Sequence, residues 1–240
     1  MKTLSVICPS RGRPHIIKDM LQSFYETTSG EHTKLLVYLN EDDTSLPEYE
    51  KVLASFDSPF LDVVIGPRKF IVEVYNMGAC LDVCDYYAPI NDDHVFITPD
   101  WDRKLIDVVE TKGSGWGVAC ADDLLTDWSK CTHPSGCVIS GNIARTLSYL
   151  IHPAIRHIGT DTYLMKMANG IKRLFMERDI VIEHRHWING QRPMDANYRW
   201  VYSNEEQEWG RTAIRHYLFN AYRADMEKLY KAMEADGVIV

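Results

Sequence analysis

The residues most able to do chemistry are Asn91-Asp92-Asp93-His94, set between the apolar runs 86–90 and 95–97. Adjacent carboxylates repel each other and need a cation or solvent to compensate. Hard oxygen ligands suit Mg2+ or Mn2+, and such an ion also binds phosphate oxygens, so it could neutralise a leaving diphosphate. The bland reading is a solvated acidic turn, and on the dipeptide alone that reading prevails, because two aspartates in a loop are common. His184 and His186, two apart on a strand pattern, face the same way, and imidazole is a ligand for Mn2+-class ions; the plain alternative is a hydrogen-bonded surface pair. Asp161 opens a helix pattern, where it is either a general base at hydrogen-bond distance from a substrate or a helix-terminal charge. Cys131, His133 and Cys137, with Cys120, are zinc-type ligands. Their spacing fits no standard tetrahedral pattern, which favours packed or exposed thiols.

The elements that must position these groups follow from periodicity. Leu4–Pro9, Lys34–Leu39, Leu61–Ile65 and Tyr86–Ile90 read as buried strands; Ile16–Thr28, Pro47–Phe56 and Phe70–Asp85 read as helices between them, with Leu53 and Phe56 inward. On that helix Cys80 and Cys84 share a face. No element is assigned between Ile97 and Gly117. Gly117–Ala121 is a further strand, Asp161–Asn169 a helix closed by Gly170 as its C-cap, and Asp179–His186 a late strand. Alternation of this kind implies parallel βαβ units with helices on both faces. Ligands then bind beyond the C-terminal strand ends. The loops there are Ser10–Pro14, Asn40–Asp43, Gly66–Lys69 and Asn91–His94, all polar. From Trp187 to Tyr202 the chain is aromatic and basic, a strap of rings and guanidinium groups able to stack on sugars or bases. Glu205–Ala235 is one amphipathic helical stretch, read as core cover or dimer contact.

At 240 residues the chain suits one large domain, and 45% hydrophobic residues allow a sizeable core. The net charge of −8 disfavours a general nucleic-acid or acidic-membrane coat. The apolar stretch near the start is too short for a signal-peptide core, and no run reaches the roughly 20 residues of a membrane span, so a cytoplasmic protein is expected. The six cysteines do not suggest a secreted disulfide scaffold.

Read in order, Val6-Ile7-Cys8-Pro9-Ser10-Arg11, Tyr38–Asp43, Tyr75-Asn76-Met77-Gly78-Ala79, Ile90–His94, Ser140-Gly141-Asn142 and Gly159-Thr160-Asp161 resemble the family 2-type glycosyltransferases of the GT-A fold. The order and spacing carry the resemblance, over roughly residues 3 to 187; each piece alone is weak. It implies an α/β class with a GT-A, Rossmann-like, mostly parallel sheet, helices on both faces and a C-terminal helical extension. The catalytic domain would be 1–187, with 188–240 packed on it as strap and extension.

The resemblance also implies roles. A nucleoside-diphosphate sugar, UDP-linked for preference, would lie on Pro9, Ser10, Arg11, Arg13, Asn40, Glu41, Asp43, Arg68, Asn76 and Asp92. Mn2+ or Mg2+ would sit on Asp93 and a late histidine, His184. Asp161 would be the base of an inverting transfer. Gly141 and Asn142 look like the acceptor-side turn, and His133 and Ser135 fall in the acceptor loop. Asn91 replaces a common first acid of the metal motif, Tyr75 an arginine, and Thr160 a glutamate; with Tyr75 in that place the diphosphate would rely on Arg11, Arg13, Arg68 or Lys69. The Gln-x-x-Arg-Trp motif of processive synthases is missing, which points to single transfers. The strap, through Arg192, Tyr198 and Arg199, resembles virus-encoded enzymes that glycosylate hydroxymethylated pyrimidines in DNA. A polysaccharide or small-molecule acceptor is the alternative. Rivals of other classes are a nucleotidyltransferase, for which Ser10–Arg13 is a poor phosphate loop, and a non-catalytic sugar-nucleotide-binding module.

Overall fold

The computed structural model describes residues 2–30, 32–56, 58–127 and 134–238. Its framework is a sheet of eight strands among the described residues: β1 (Leu4–Ser10), β2 (Thr33–Asn40), β3 (Leu61–Gly66), β4 (Tyr86–Pro89), β5 (His94–Phe96), β6 (Val118–Asp122), β7 (Cys137–Ser140) and β8 (Leu174–His184). They lie in the order β3-β2-β1-β4-β7-β6-β8-β5. β1 runs parallel to β2 and β4, and β2 to β3, as the alternating pattern predicts. β7 runs antiparallel to both neighbours, and β5 antiparallel to β8.

Both faces of β1 are covered, so its run is almost continuously apolar rather than alternating. Its side chains still divide by parity. Val6 and Cys8 join one core with Ile17, Met20, Phe24, Tyr49, Trp101 and Ile182. Ile7 joins the other with Val72, Tyr75, Ile139, Tyr163, Tyr217 and Leu229. The first face is covered by α1 (Pro14–Thr27), α2 (Leu46–Leu53) and α4 (Trp101–Gly113); the second by α3 (Ile71–Leu81), α5 (Gly141–Leu147), α6 (Thr160–Gly170), α8 (Asn204–Asn220) and α9 (Tyr222–Ala235).

Several expectations are corrected. α2 ends at Leu53, short of Phe56; Leu53 and Phe56 do pack inward against the core, partly buried, and Tyr49 is the fully buried residue of the helix. α3 ends at Leu81 because Asp82 turns extended, so exposed Cys80 and buried Cys84 share no helix face. α4 fills the stretch left without an element; Trp101, Leu105, Ile106 and Val109 give it a buried stripe at helical spacing. Gly170 is not a left-handed cap: the positive φ falls on Lys172, at 54°. A Cβ at 170 would come within 2.5 Å of Met226 Sδ and Tyr222 Oη, so these side chains would have to shift to admit one. β8 is longer than expected. It pairs with β6 through Glu177, bulges, and resumes pairing at Val181 opposite Asp122.

The C-terminal stretch is two helices, broken at Ala221 with φ −119° and ψ −34°. Tyr217, Met226, Leu229 and Met233 pack with Ile143, Leu147 and Tyr163 in one core, so the apolar stripe offered as a dimer contact serves the chain's own interior. No described helix is long and apolar enough to cross a membrane.

Candidate active site

A cleft of about 480 Å³ opens at the C-terminal ends of β1, β2 and β4. The strand exits deliver Pro9, Ser10, Arg11, Arg13, Asn40, Arg68, Asn91, Asp92 and Asp93 to it. The opposite wall comes from Asp161 at the start of α6, His184 at the end of β8, and Tyr198 and Trp200 on a short helix α7 (Ala196–Val201).

The floor is a buried charge cluster. Ser10 Oγ donates to Asp92 Oδ2 at 2.6 Å and accepts from Tyr49 Oη at 2.7 Å, while Tyr49 Oη accepts the Arg13 backbone N–H at 2.8 Å. The Arg13 guanidinium donates to Asp92 Oδ1 at 3.0 Å and to both oxygens of Asp195, at 2.7 and 3.1 Å. Burial pushes the Asp92 carboxyl up, with Asp93 adding to the effect and Arg13 opposing it. Asp93 goes the other way: burial disfavours its charge, but His184, His94 and Arg13 outweigh that and hold it well below the usual carboxylate range. Two adjacent acids pushed apart in this way mark a built electrostatic site rather than a solvated turn.

Asp93 has two different sides. Oδ2 accepts the Tyr198 hydroxyl at 2.6 Å and lies 3.6 Å from Arg13. Oδ1 is buried without a hydrogen bond, 3.2 Å from His184 Nε2 and 3.8 Å from His94 Nδ1. His184 compensates Oδ1 as an ion pair without hydrogen-bond alignment, and a buried carboxylate oxygen needs such compensation. Ligand atoms of Asp93, His94 and His184 all lie within 4.8 Å of one another. One carboxylate and two imidazoles are a donor set for a Mn2+-class ion, so these residues fit the expected metal. His184 is the freer imidazole. His94 Nδ1 accepts the Asn91 N–H at 3.3 Å, and its Nε2 is 3.0 Å from Ser135 Oγ. Burial and the neighbouring His184 lower His94 to about 4, whereas Asp93 overcomes burial and raises His184.

Other residues named from the sequence fall in varied places. Asn40 reaches the cleft, its Oδ1 accepting the Lys69 N–H at 3.0 Å, and Arg11 pairs with Asp42 at the rim. Asp43 is buried beneath the β1 exit loop, accepting from the N–H groups of Gly12 and Ser45. Glu41 is exposed and does not line the cleft. Asn76 does not line it either: its Oδ1 accepts the N–H groups of Leu150 and Ile151 and its amide donates to Ile151 O, so it anchors a loop. Gly141 and Asn142 lie at the other end of the sheet, because β7 runs antiparallel and carries them away. Arg192 is held by Asp19 and Arg199 by Met194 O; neither enters the cleft. Tyr198 does, but on Asp93. Ser135 lines the cleft, whereas Cys131 and His133 lie outside the described residues. Cys120 and Cys137 are buried cross-strand partners.

Asp161 stands in the first turn of α6, behind Gly159, which has φ 101° and offers no side-chain cap. Its carboxylate acts on His184. His94, Tyr49, Asp195 and Phe70 have no site role in the sequence reading; Phe70 stacks at 5.8 Å and 13° on Trp200, a ring of the strap read as an acceptor surface. His94 had the clearest signal, as the fourth residue of the acidic motif.

No protein-family profile and no curated protein matches the sequence. Solved structures do match. A mannosyltransferase from Pyrobaculum calidifontis, solved with GDP-Man and Mn2+, aligns over 98% of this chain and 75% of its own, at TM-score 0.65 and 12% identity. Glucosyl-3-phosphoglycerate synthase from Mycobacterium tuberculosis, solved with Mn2+, UDP-glucose and phosphoglyceric acid, aligns over 88% and 79%, at 0.62 and 15%. TarS 1-349 from S. aureus, solved with UDP, aligns over 91% and 72%, at 0.58 and 12%. With identities this low the likeness is one of architecture: the chain has the GT-A glycosyltransferase fold.

Proposed function

We propose that the protein transfers a sugar from a nucleoside-diphosphate sugar to a hydroxyl acceptor, singly and with inversion, using Mn2+ or Mg2+. The observation that carries this is the cluster of Asp93, His94 and His184, whose ligand atoms converge within 4.8 Å around the buried Asp93 Oδ1 at the sheet edge where ligands bind. A divalent ion there would supply Lewis-acid neutralisation of the diphosphate leaving group. The structural neighbours were solved with GDP-Man or UDP-linked donors, which supports a nucleotide-sugar and leaves UDP-sugar as our first choice.

The chain's own residues supply the rest. Arg13 is buried on Asp92 and Asp195 and Arg11 is paired with Asp42, so holding the diphosphate falls first to Arg68 and Lys69 at the rim, with Arg11 joining if it leaves Asp42. Asp161 takes the proton of the acceptor hydroxyl as that oxygen attacks the anomeric carbon. Trp200 on Phe70, with Tyr202 nearby, gives the cleft aromatic faces. We assign the acceptor to the saccharides on that ground, since rings stack on sugar faces. Hydroxymethylated DNA is the less supported acceptor, because Arg192 and Arg199 turn away from the cleft and the chain carries a net charge of −8.

The test is a nucleotide-sugar panel with Mn2+ or excess chelator, scored for hydrolysis and for transfer to a saccharide panel and to hydroxymethylated DNA. We expect turnover of one UDP- or GDP-sugar that stops in chelator. Full turnover in chelator overturns the metal reading, and transfer to DNA alone overturns the acceptor class.

A further inference from the structure

We infer that Tyr198 is a positioning residue for the metal carboxylate: its hydroxyl takes up Oδ2 of Asp93 so that Oδ1 is the oxygen left for the ion. The inference rests on the metal reading above and concerns a residue that sequence placed with the acceptor.

The carboxylate is split between two environments. The phenol, at 2.6 Å, and the Arg13 guanidinium, at 3.6 Å, stand on the Oδ2 side. Both imidazoles stand on the Oδ1 side. A carboxylate with one oxygen tied by a short hydrogen bond cannot rotate freely, so its other oxygen keeps one direction. Partners of this kind orient metal ligands and raise affinity through the ligand rather than through contact with the ion.

Tyr198 is itself held. The Arg13 guanidinium stacks on its ring, 4.2 Å from the centroid. Arg13 also grips both oxygens of Asp195, the residue that caps α7 by accepting the Tyr198 N–H at 2.9 Å. A third tie runs from Asn197 Nδ2 to Arg11 O. The segment 195–198 is thus fastened to the β1 exit at three points, and the phenol is aimed by that fastening. The strap therefore completes the charge cluster of the first half of the chain.

Tyr198→Phe removes the hydroxyl and keeps the ring under Arg13. Mn2+ binding is measured by calorimetry and by electron paramagnetic resonance of free Mn2+, on wild type, Tyr198→Phe and Asp93→Ala, with metal-free melting temperatures alongside. We expect Mn2+ affinity in the Phe variant to fall about 10- to 100-fold, the usual cost of losing such a partner, with metal-free melting little changed. Unchanged affinity overturns the inference, and tighter binding overturns it too, by making the phenol a competitor for the site. Absence of Mn2+ binding to wild type defeats the metal reading itself, whereas binding lost in Asp93→Ala but kept in Tyr198→Phe defeats the positioning role alone. Should the Phe variant not fold, Asp195→Asn carries the test by loosening the grip of Arg13 on α7. The same weakening is expected there, and unchanged affinity overturns the inference.

Discussion

The two ends of the sheet are made of the same residue types and differ in one respect. At the N-terminal end of β1 and β4, Asp85 accepts both the N–H and the hydroxyl of Thr3, Asn142 donates to Gly115 O, and Arg145 bridges Cys84 O and Asn142. Gly141 is wedged so that a Cβ would meet Cys84 O at 2.4 Å. Each of these groups has a partner in the chain. At the C-terminal end the same residue types line a cleft, and Asp93 Oδ1 is left with imidazoles beside it and no aligned hydrogen bond. Polar residues that satisfy one another are architecture. A buried polar atom that the chain does not satisfy is where a ligand would contribute.

Substitutions at the two ends should separate accordingly. The largest effect is expected from Asp93→Ala, which should abolish both Mn2+ binding and turnover while circular dichroism shows a folded protein. Retained Mn2+ affinity would place the ion elsewhere and dissolve the contrast. Next comes Asp161→Asn, which keeps shape but cannot accept a proton. Turnover should fall by roughly two to four orders of magnitude with donor affinity unchanged by calorimetry, and near-normal turnover would reduce Asp161 to a helix-terminal charge.

Asn76→Ala should act on stability instead. It strands the N–H groups of two fully buried residues, Leu150 and Ile151. At about 1–3 kcal/mol for each of the two unsatisfied groups, the loss is on the order of 2–6 kcal/mol, read from urea unfolding. A drop in kcat at full stability would return Asn76 to the donor site. Gly141→Ala should cost somewhat less, about 1–3 kcal/mol of overpacking, with kcat of the folded fraction unchanged. The smallest effect belongs to Arg192→Ala combined with Arg199→Ala, which should leave transfer to a saccharide intact while loss of the Arg192–Asp19 pair costs about 1 kcal/mol in stability. Loss of transfer there would restore the strap arginines to the acceptor site.

Local patterns carried much of this from the sequence. Four polar strand exits were legible because buried runs end at them, and three of the four feed the cleft as read; from the second, only Asn40 lines it. Strand direction was not legible. The run 137–140 has the same apolar character whichever way it points, and only its antiparallel pairing sends Gly141 and Asn142 to the far end. Long-range pairs were hidden for a related reason. Arg13 meets Asp195 across 182 positions and Tyr198 meets Asp93 across 105. No periodicity links residues that far apart, so Tyr198 was read by its ring and not by its hydroxyl. The missed α4 is a different case, because its apolar spacing was present in the residues.

The bulge in β8 has a consequence for how this chain can change length. Residues 178–180 are the slack between two paired halves of one strand, with Glu177 opposite Ala121 and Val181 opposite Asp122. Insertions or deletions there need not disturb the pairing of 174–177. Strand side chains alternate, however, so a change of one residue that the slack failed to absorb would turn His184 to the opposite face, and a change of two would restore it. Only changes that the slack absorbs therefore keep the imidazole on Asp93: an unabsorbed odd change turns it to the other face, and an unabsorbed change of two keeps the face but slides it about 6.6 Å along the strand.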